Sequence, residues 1–124
     1  MRVSKRKEFD EALIGTGFPF RDFKYMDEYL AVLRKVMAGS AGARRAGAAA
    51  LDLAYVAAGR LDGFWEIGLS PWDMAAGSLL IQEAGGLVSD FDGDGHYLDS
   101  GRIVAGNPKV FGQLLRVVAG HNFK

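Results

Sequence analysis

Leu61-Asp62-Gly63-Phe64-Trp65-Glu66-Ile67-Gly68-Leu69-Ser70-Pro71-Trp72-Asp73-Met74-Ala75-Ala76-Gly77-Ser78-Leu79-Leu80-Ile81-Gln82-Glu83-Ala84-Gly85-Gly86 carries two elements and the break between them. The segment 61–67 is aromatic and apolar and reads as a strand. Ser70 then has the chemistry of a helix N-cap, Pro71 suits the first helical position, and Asp73 follows three after the cap. The helix runs through Ala75, Ala76, Leu79, Leu80 and Glu83, and the Gly85-Gly86 pair stops it.

The same alternation continues on both sides. Upstream, Ala12-Leu13-Ile14-Gly15-Thr16-Gly17-Phe18 is a short apolar run closed by Gly17 and Pro19, a buried strand. Met26, Leu30, Leu33 and Met37 recur every three or four residues, which predicts an amphipathic helix over 25–37 that ends near Gly39. Residues 41–46 read as a short strand or extended link. Gly47 opens an alanine-rich helix ended by Gly59, and this helix is apolar on nearly every side, so it is expected to be buried on more than one face. Downstream, Leu87-Val88-Ser89 and Ile103-Val104-Ala105-Gly106 are strands separated by a polar, Gly-rich turn. Asn107-Pro108 opens a last helix bearing Val110, Leu114, Leu115 and Val118. Alternation of this kind predicts an α/β fold, a three-layer unit with a largely parallel or mixed sheet flanked by helices.

Composition narrows the function classes. The 124 residues hold 15 Lys+Arg and 15 Asp+Glu, and zero net charge argues against a protein whose task is to coat phosphate backbones. Cysteine is absent, which removes disulfides, thiolate metal sites and a cysteine nucleophile. No uninterrupted apolar stretch is long enough to span a membrane, and the basic head (Met1 to Asp10) lacks the apolar core of a secretory signal. A cytoplasmic protein without a membrane partner is the expectation, and the head reads as a solvated end.

The candidate chemistry is sparse. Asp90, Asp92 and Asp94 with Gly95 open like a calcium loop, but position twelve is Gly101 where a bidentate glutamate belongs, so a plain turn is expected. His96 and His121 have neither ligand nor triad spacing. Asp73 stands at a helix start following a strand, where a rigidly mounted carboxylate suits either the helix dipole or a hard divalent cation. Glu66, at the end of that strand, is either a surface acid or an acceptor for ligand hydroxyls. Gly47, Ala48 and Ala49 start a helix with side chains small enough for a ligand to approach the backbone amides, although helix packing accounts for them equally.

Glu66-Ile67-Gly68-Leu69-Ser70-Pro71-Trp72-Asp73-Met74-Ala75-Ala76-Gly77, continued to Glu83-Ala84-Gly85-Gly86, resembles the second signature of the inositol monophosphatase family: W-D-x-A-A-G, a spacer and E-A-G-G. Arg44-Arg45-Ala46-Gly47-Ala48-Ala49-Ala50 and Ile103-Val104-Ala105-Gly106-Asn107 resemble further family segments. The resemblance is closest to a bacterial type that also takes part in ribosomal RNA transcription antitermination. It implies a lithium-sensitive, Mg2+-dependent phosphatase, a hydrolase in which metal-activated water attacks inositol monophosphate. By that likeness Asp73 would ligate magnesium, and Glu66 would bind substrate hydroxyls. Gly47, Ala48 and Ala49 would contact substrate, and Arg44 and Arg45 would lie near a subunit or partner surface. A homodimer is implied, and for the antitermination role partners such as elongation factors or RNA polymerase. The family's D-P-x-D-G-T/S metal segment is absent. The likeness is therefore to a C-terminal half, residues 1–124 as one domain without the N-terminal metal-binding half. The chain alone is expected to be inactive.

Overall fold

A computed structural model of the chain describes residues 1–17, 23–45, 48–121 and 123. Strands β1 (Leu13–Thr16), β2 (Gly42–Arg44), β3 (Gly63–Ile67), β4 (Leu87–Ser89) and β5 (Arg102–Gly106) alternate with helices. These are α1 (Met26–Gly39), α2 (Ala49–Ala57), α3 (Pro71–Glu83), α4 (Tyr97–Ser100) and α5 (Pro108–Ala119). The order of strands and α-helices matches the sequence reading with one addition, and short 3-10 turns at Phe9–Glu11 and Phe23–Tyr25 precede β1 and α1. The short helix α4 occupies the end of the segment expected to be only a turn, and Gly101 closes it at φ +72°. The start of that segment is a turn: the Asp90 carboxylate accepts from the Asp92 and Asp94 backbone N–H groups at 2.9 and 2.8 Å.

Local chemistry sets the element ends. Pro71 and Pro108 lie in the first turns of α3 and α5, where a missing N–H costs nothing. Asn107 caps α5 by accepting from the Val110 N–H at 2.8 Å. Gly85, at φ +92°, turns the chain out of α3 in a backbone conformation that other residues resist.

The sheet order is β2-β1-β3-β5-β4. β1 pairs in parallel with both β2 and β3, while β5 runs antiparallel to β3 and β4. The C-terminal ends of β2, β1 and β3 therefore share one edge of the domain. Helices α1 and α5 cover one face, packing Tyr29, Val32, Val36, Val110, Leu114 and Val118 on Ile14, Trp65 and Val104. Helices α2 and α3 cover the other, packing Leu53, Val56, Met74 and Ile81 on Phe64, Ile103 and Ala105. Alternation along β3 does the sorting: Phe64 and Glu66 face α2 and α3, while Trp65 and Ile67 face α1 and α5. Full burial of a Phe64- or Leu53-sized side chain contributes roughly 1.5–3 kcal/mol each.

Two sequence expectations need correction. The basic head is not simply solvated: the Val3 N–H donates to the Ala84 carbonyl, and Ser4 Oγ donates to Asp62 Oδ1. Arg6 Nε lies 3.3 Å from Asp62 Oδ2, and the Asn107 side-chain amide donates to Ser4 Oγ and the Arg6 carbonyl. Asp62 is nearly buried and also accepts from the Leu13 N–H at 2.7 Å, so the head supplies the donors and charge that this carboxylate needs. Nor is α2 covered all round. Leu53, Val56 and Ala57 are buried, but Leu51 stays 46% exposed on the opposite side of the helix from them.

Candidate active site

Glu66 ends β3 on the α2/α3 face, beside the C-terminal end of β1. The register pairs Thr16 with Trp65, which carries Gly17 to the position beside Glu66. A Cβ added at Gly17 would fall on the Glu66 carboxylate, so that carboxylate occupies space which only glycine leaves open. Burial, first, and then the negative charges of Asp52 and Asp73 push the Glu66 carboxyl up to about 7, with Arg45 pulling the other way. At neutral pH Glu66 is thus poised between donor and acceptor forms, and both forms hydrogen-bond hydroxyl groups.

Asp73 stands in the first turn of α3, half-buried. Ser70 holds the N-cap position in extended backbone, but its hydroxyl makes no cap bond. It donates instead to Asp73 Oδ2 at 2.6 Å, while the Asp73 N–H donates to the Ser70 carbonyl at 3.1 Å. Asp73 is therefore held rigidly by its own turn, with its second oxygen left for another donor or a cation. Residues 68–70 link β3 to α3, and Gly68 takes φ +86° in that link.

Of the segment expected to meet substrate through its backbone, Ala48 is the extended residue just before α2 and Ala49 begins the helix. The side chain of Ala48 gives the helix no cap. Gly47 lies outside the described residues. Arg44 ends β2 and Arg45 follows it, both exposed on the outer strand of the sheet. Their charges reach inward as well: Arg44 acts on Asp52 and Arg45 on Glu66. The pair expected at a partner surface is therefore electrostatically continuous with the acids.

Sequence reasoning passed over Asp52, Gly15 in β1 and Gly17 just after it. Asp52 is only 2% exposed, and burial raises its carboxyl against the attraction of Arg44. The available signal was a lone acid interrupting the apolar run of α2, and glycines two apart, in and just after a strand that otherwise reads as core.

A magnesium ion requires several oxygen ligands in near-octahedral array. Among the described residues no three His, Asp or Glu side chains form a group that could hold a metal ion. Asp73 can offer one oxygen, and these residues do not make a magnesium site by themselves. No helix among the described residues is long and apolar enough to cross a membrane.

The inositol monophosphatase family model matches residues 1–121, and the chain belongs to that family. It is 61% identical over 123 residues to the Nus factor SuhB of Pseudomonas aeruginosa, covering 98% of this chain and 45% of that protein. The crystal structure of extragenic suppressor protein suhB from Bartonella henselae superposes with a TM-score of 0.90 at 49% identity, over 94% of this chain and 45% of that one. The inositol monophosphatase from Anabaena superposes with a TM-score of 0.91 at 39% identity, over 98% and 48%. The chain thus spans less than half the length of the relatives it matches.

Proposed function

We propose that residues 1–124 are the C-terminal α/β part of a phosphomonoesterase that hydrolyses inositol 1-phosphate, or a similar polyol phosphate, to the polyol and phosphate. The observation that carries this reading is the placement of Glu66 over Gly17, with the charge of Asp73 reaching it, in a chain of this family. Glu66 accepts or donates hydrogen bonds to polyol hydroxyls, and the backbone at Ala48 and Ala49 approaches the same ligand. Asp73 offers one oxygen to a Mg2+ ion whose other ligands come from sequence outside these residues.

The 124-residue chain should therefore show no appreciable turnover of inositol 1-phosphate with magnesium. Joining it to, or co-expressing it with, the preceding half of a relative should produce magnesium-dependent phosphate release, and Asp73→Asn should remove most of it. Robust turnover by the isolated chain, indifferent to Asp73→Asn, would refute the assignment.

A second reading, a docking surface for transcription machinery, draws on the exposure of Arg44 and Arg45 on an outer strand and on the naming of the Pseudomonas relative as a Nus factor. Retention of elongation factors or RNA polymerase that Arg44→Ala and Arg45→Ala leave untouched would count against it. A homodimer is supported by the exposed stripe on α3, where Trp72 is 79% and Leu79 is 56% exposed. The two lie seven residues apart on one helix face, with exposed Ala75 and Ala76 between them. Sedimentation of the full-length protein as a monomer at micromolar concentration would argue against that assembly.

A further inference from the structure

The basic head is a sequence feature that the candidate active site does not use. Residues 1–7 carry Arg2, Lys5, Arg6 and Lys7, and they lie as a strap across one end of the sheet. The Val3 N–H donates to the Ala84 carbonyl at 3.0 Å. The Asn107 side-chain amide donates to Ser4 Oγ at 2.7 Å and to the Arg6 carbonyl at 3.0 Å. Gln113 Nε2 donates to the Lys7 carbonyl at 3.1 Å and to the Lys109 carbonyl at 3.0 Å. Gly59, at φ +78°, lies so close that an added Cβ would stand 3.1 Å from the Arg2 carbonyl oxygen and 3.3 Å from the Ser4 nitrogen. Val3 packs against the core of the α2/α3 face. The strap is thus fixed at several points by its backbone and its inward side chains.

The cations stay outside. Arg2, Lys5 and Lys7 are exposed, and so are Arg60, next to Gly59, and Lys109, beside the Gln113 contact. Among the described residues none of these five has a carboxylate within ion-pair distance. Arg60 sets its guanidinium over the Tyr55 ring instead, 5.7 Å from the centroid. Arg6 is paired, with Asp62 at 3.3 Å and Glu11 at 3.9 Å. Exposed Glu8, Asp10 and Glu11 follow the strap and Glu83 ends α3, so the patch has acidic borders. The zero net charge of the chain is a sum over such regions, whereas polyanions are recruited by the local field.

We propose that the docked head, with Arg60 and Lys109, is a phosphate-backbone docking surface for a single-stranded polynucleotide. Cations mounted on a fixed backbone lose less freedom on binding than those of a loose tail. Lys5 and Lys7 are separated by at most about 7 Å of chain, and Arg2 and Lys7 by at most about 18 Å, so a flexible strand can bring successive phosphates to the line. A membrane surface calls for apolar side chains beside the cations, and Val3 is turned inward. Backbone contacts of this kind carry no base sequence. The strap crosses at Asp62, just before β3, whereas Glu66 stands toward the other end of that strand. The surface is therefore separate from the candidate active site and does not rest on the phosphatase reading.

The test is fluorescence anisotropy of a labelled short oligouridylate titrated with the full-length protein over a salt series. Binding should weaken with salt at a log–log slope of about −2 to −3.5, as about three to five phosphate contacts on a single strand require. Lys5→Ala with Lys7→Ala should weaken binding at least tenfold at low salt and make the slope shallower by about 1.4. Lys5→Arg with Lys7→Arg should preserve both quantities, because the charge is kept. Oligodeoxythymidylate of the same length should bind within about threefold of the RNA, since phosphates alone are read. If the alanine pair fails to fold, Arg60→Ala with Lys109→Ala provides the same reading. Absence of binding at low salt, binding that the alanine variants leave unchanged, or loss of binding in the arginine pair overturns the inference. So does tighter binding to polyglutamate or to phosphatidylglycerol vesicles than to the oligonucleotide, or a more than tenfold preference between RNA and DNA.

Discussion

On the α1/α5 face of the sheet, Ile14, Tyr29, Val32, Val36, Trp65, Val104, Val110, Leu114 and Val118 are all fully buried. The Tyr29 and Trp65 rings lie 4.6 Å apart between centroids, and the Tyr29 hydroxyl pairs with Thr16 Oγ1 at 3.0 Å. Burial pushes that phenol up to about 12, so it stays neutral across the physiological range. The α2/α3 face also has an apolar centre, but it holds the buried Asp52 as well, and at the end of β3 it seats Glu66 over Gly17. One face contributes packing. The other also carries acids, and Glu66 stands at a strand end of the kind where ligands of open α/β sheets gather. An apolar side and an acid-bearing side thus share one sheet, and substitutions on each side should fail differently.

The largest expected effect lies on the packed face. Trp65→Ala should cost about 3–5 kcal/mol, since it empties a fully buried site. Chemical denaturation would read this as a lowered midpoint with little change in slope. A loss below about 1 kcal/mol would mean that the α1/α5 face is not the main support of the fold.

Gly77→Ala probes the contact between the two helices of the other face. An added Cβ would lie 2.6 Å from Leu53 Cβ and 2.8 Å from Leu53 Cδ1. The gain in helix propensity from alanine should be outweighed by overpacking, for a net loss of about 1–3 kcal/mol. Thermal unfolding of the variant checks it, and a stabilised protein would show that α2 and α3 are not packed as closely as described.

The smallest effect is electrostatic and has a defined sign. Glu66 has a folded-state pKa above its ordinary value, about 7 against 4.5, so the native state holds its proton more tightly than the unfolded chain. The associated stability is fully present below about pH 4.5 and is lost as pH rises through about 7. Wild-type stability should fall on the order of 1 kcal/mol between pH 5 and pH 8 on this account, and Glu66→Gln should flatten that slope. A slope identical in the variant would show that the carboxylate is not desolvated by its surroundings.

Much of this division was legible in the sequence. The Ser70-Pro71 start and the Gly85-Gly86 stop mark elements by local chemistry, and the chain folds accordingly. Periodicity at Met26, Leu30, Leu33 and Met37 located α1 but not its buried stripe: Tyr29, Val32 and Val36 face the core, while Leu30 and Met37 are exposed. The two acids of the site were visible because each ends or begins such an element. Asp52 was not, because its meaning depends on which strand α2 covers, a tertiary fact that periodicity does not contain. Gly17 was hidden for the same reason: a glycine closing a strand reads as punctuation until the register sets it beside Glu66. The docked head was missed because Asp62 becomes a buried acceptor only once β3 is in the sheet, and only then do Ser4 and Arg6 have a reason to stay.

The most direct test of the account separates the two acids by kinetics in the full-length protein. Inositol 1-phosphate hydrolysis is followed while magnesium and substrate are varied independently. Asp73→Asn should raise the magnesium concentration needed for half-maximal activity at least tenfold, and Glu66→Gln should chiefly raise the KM for the inositol ester. Loss of neither, or the same loss from both with magnesium demand unchanged, would contradict a site in which Glu66 meets the polyol and Asp73 meets the ion.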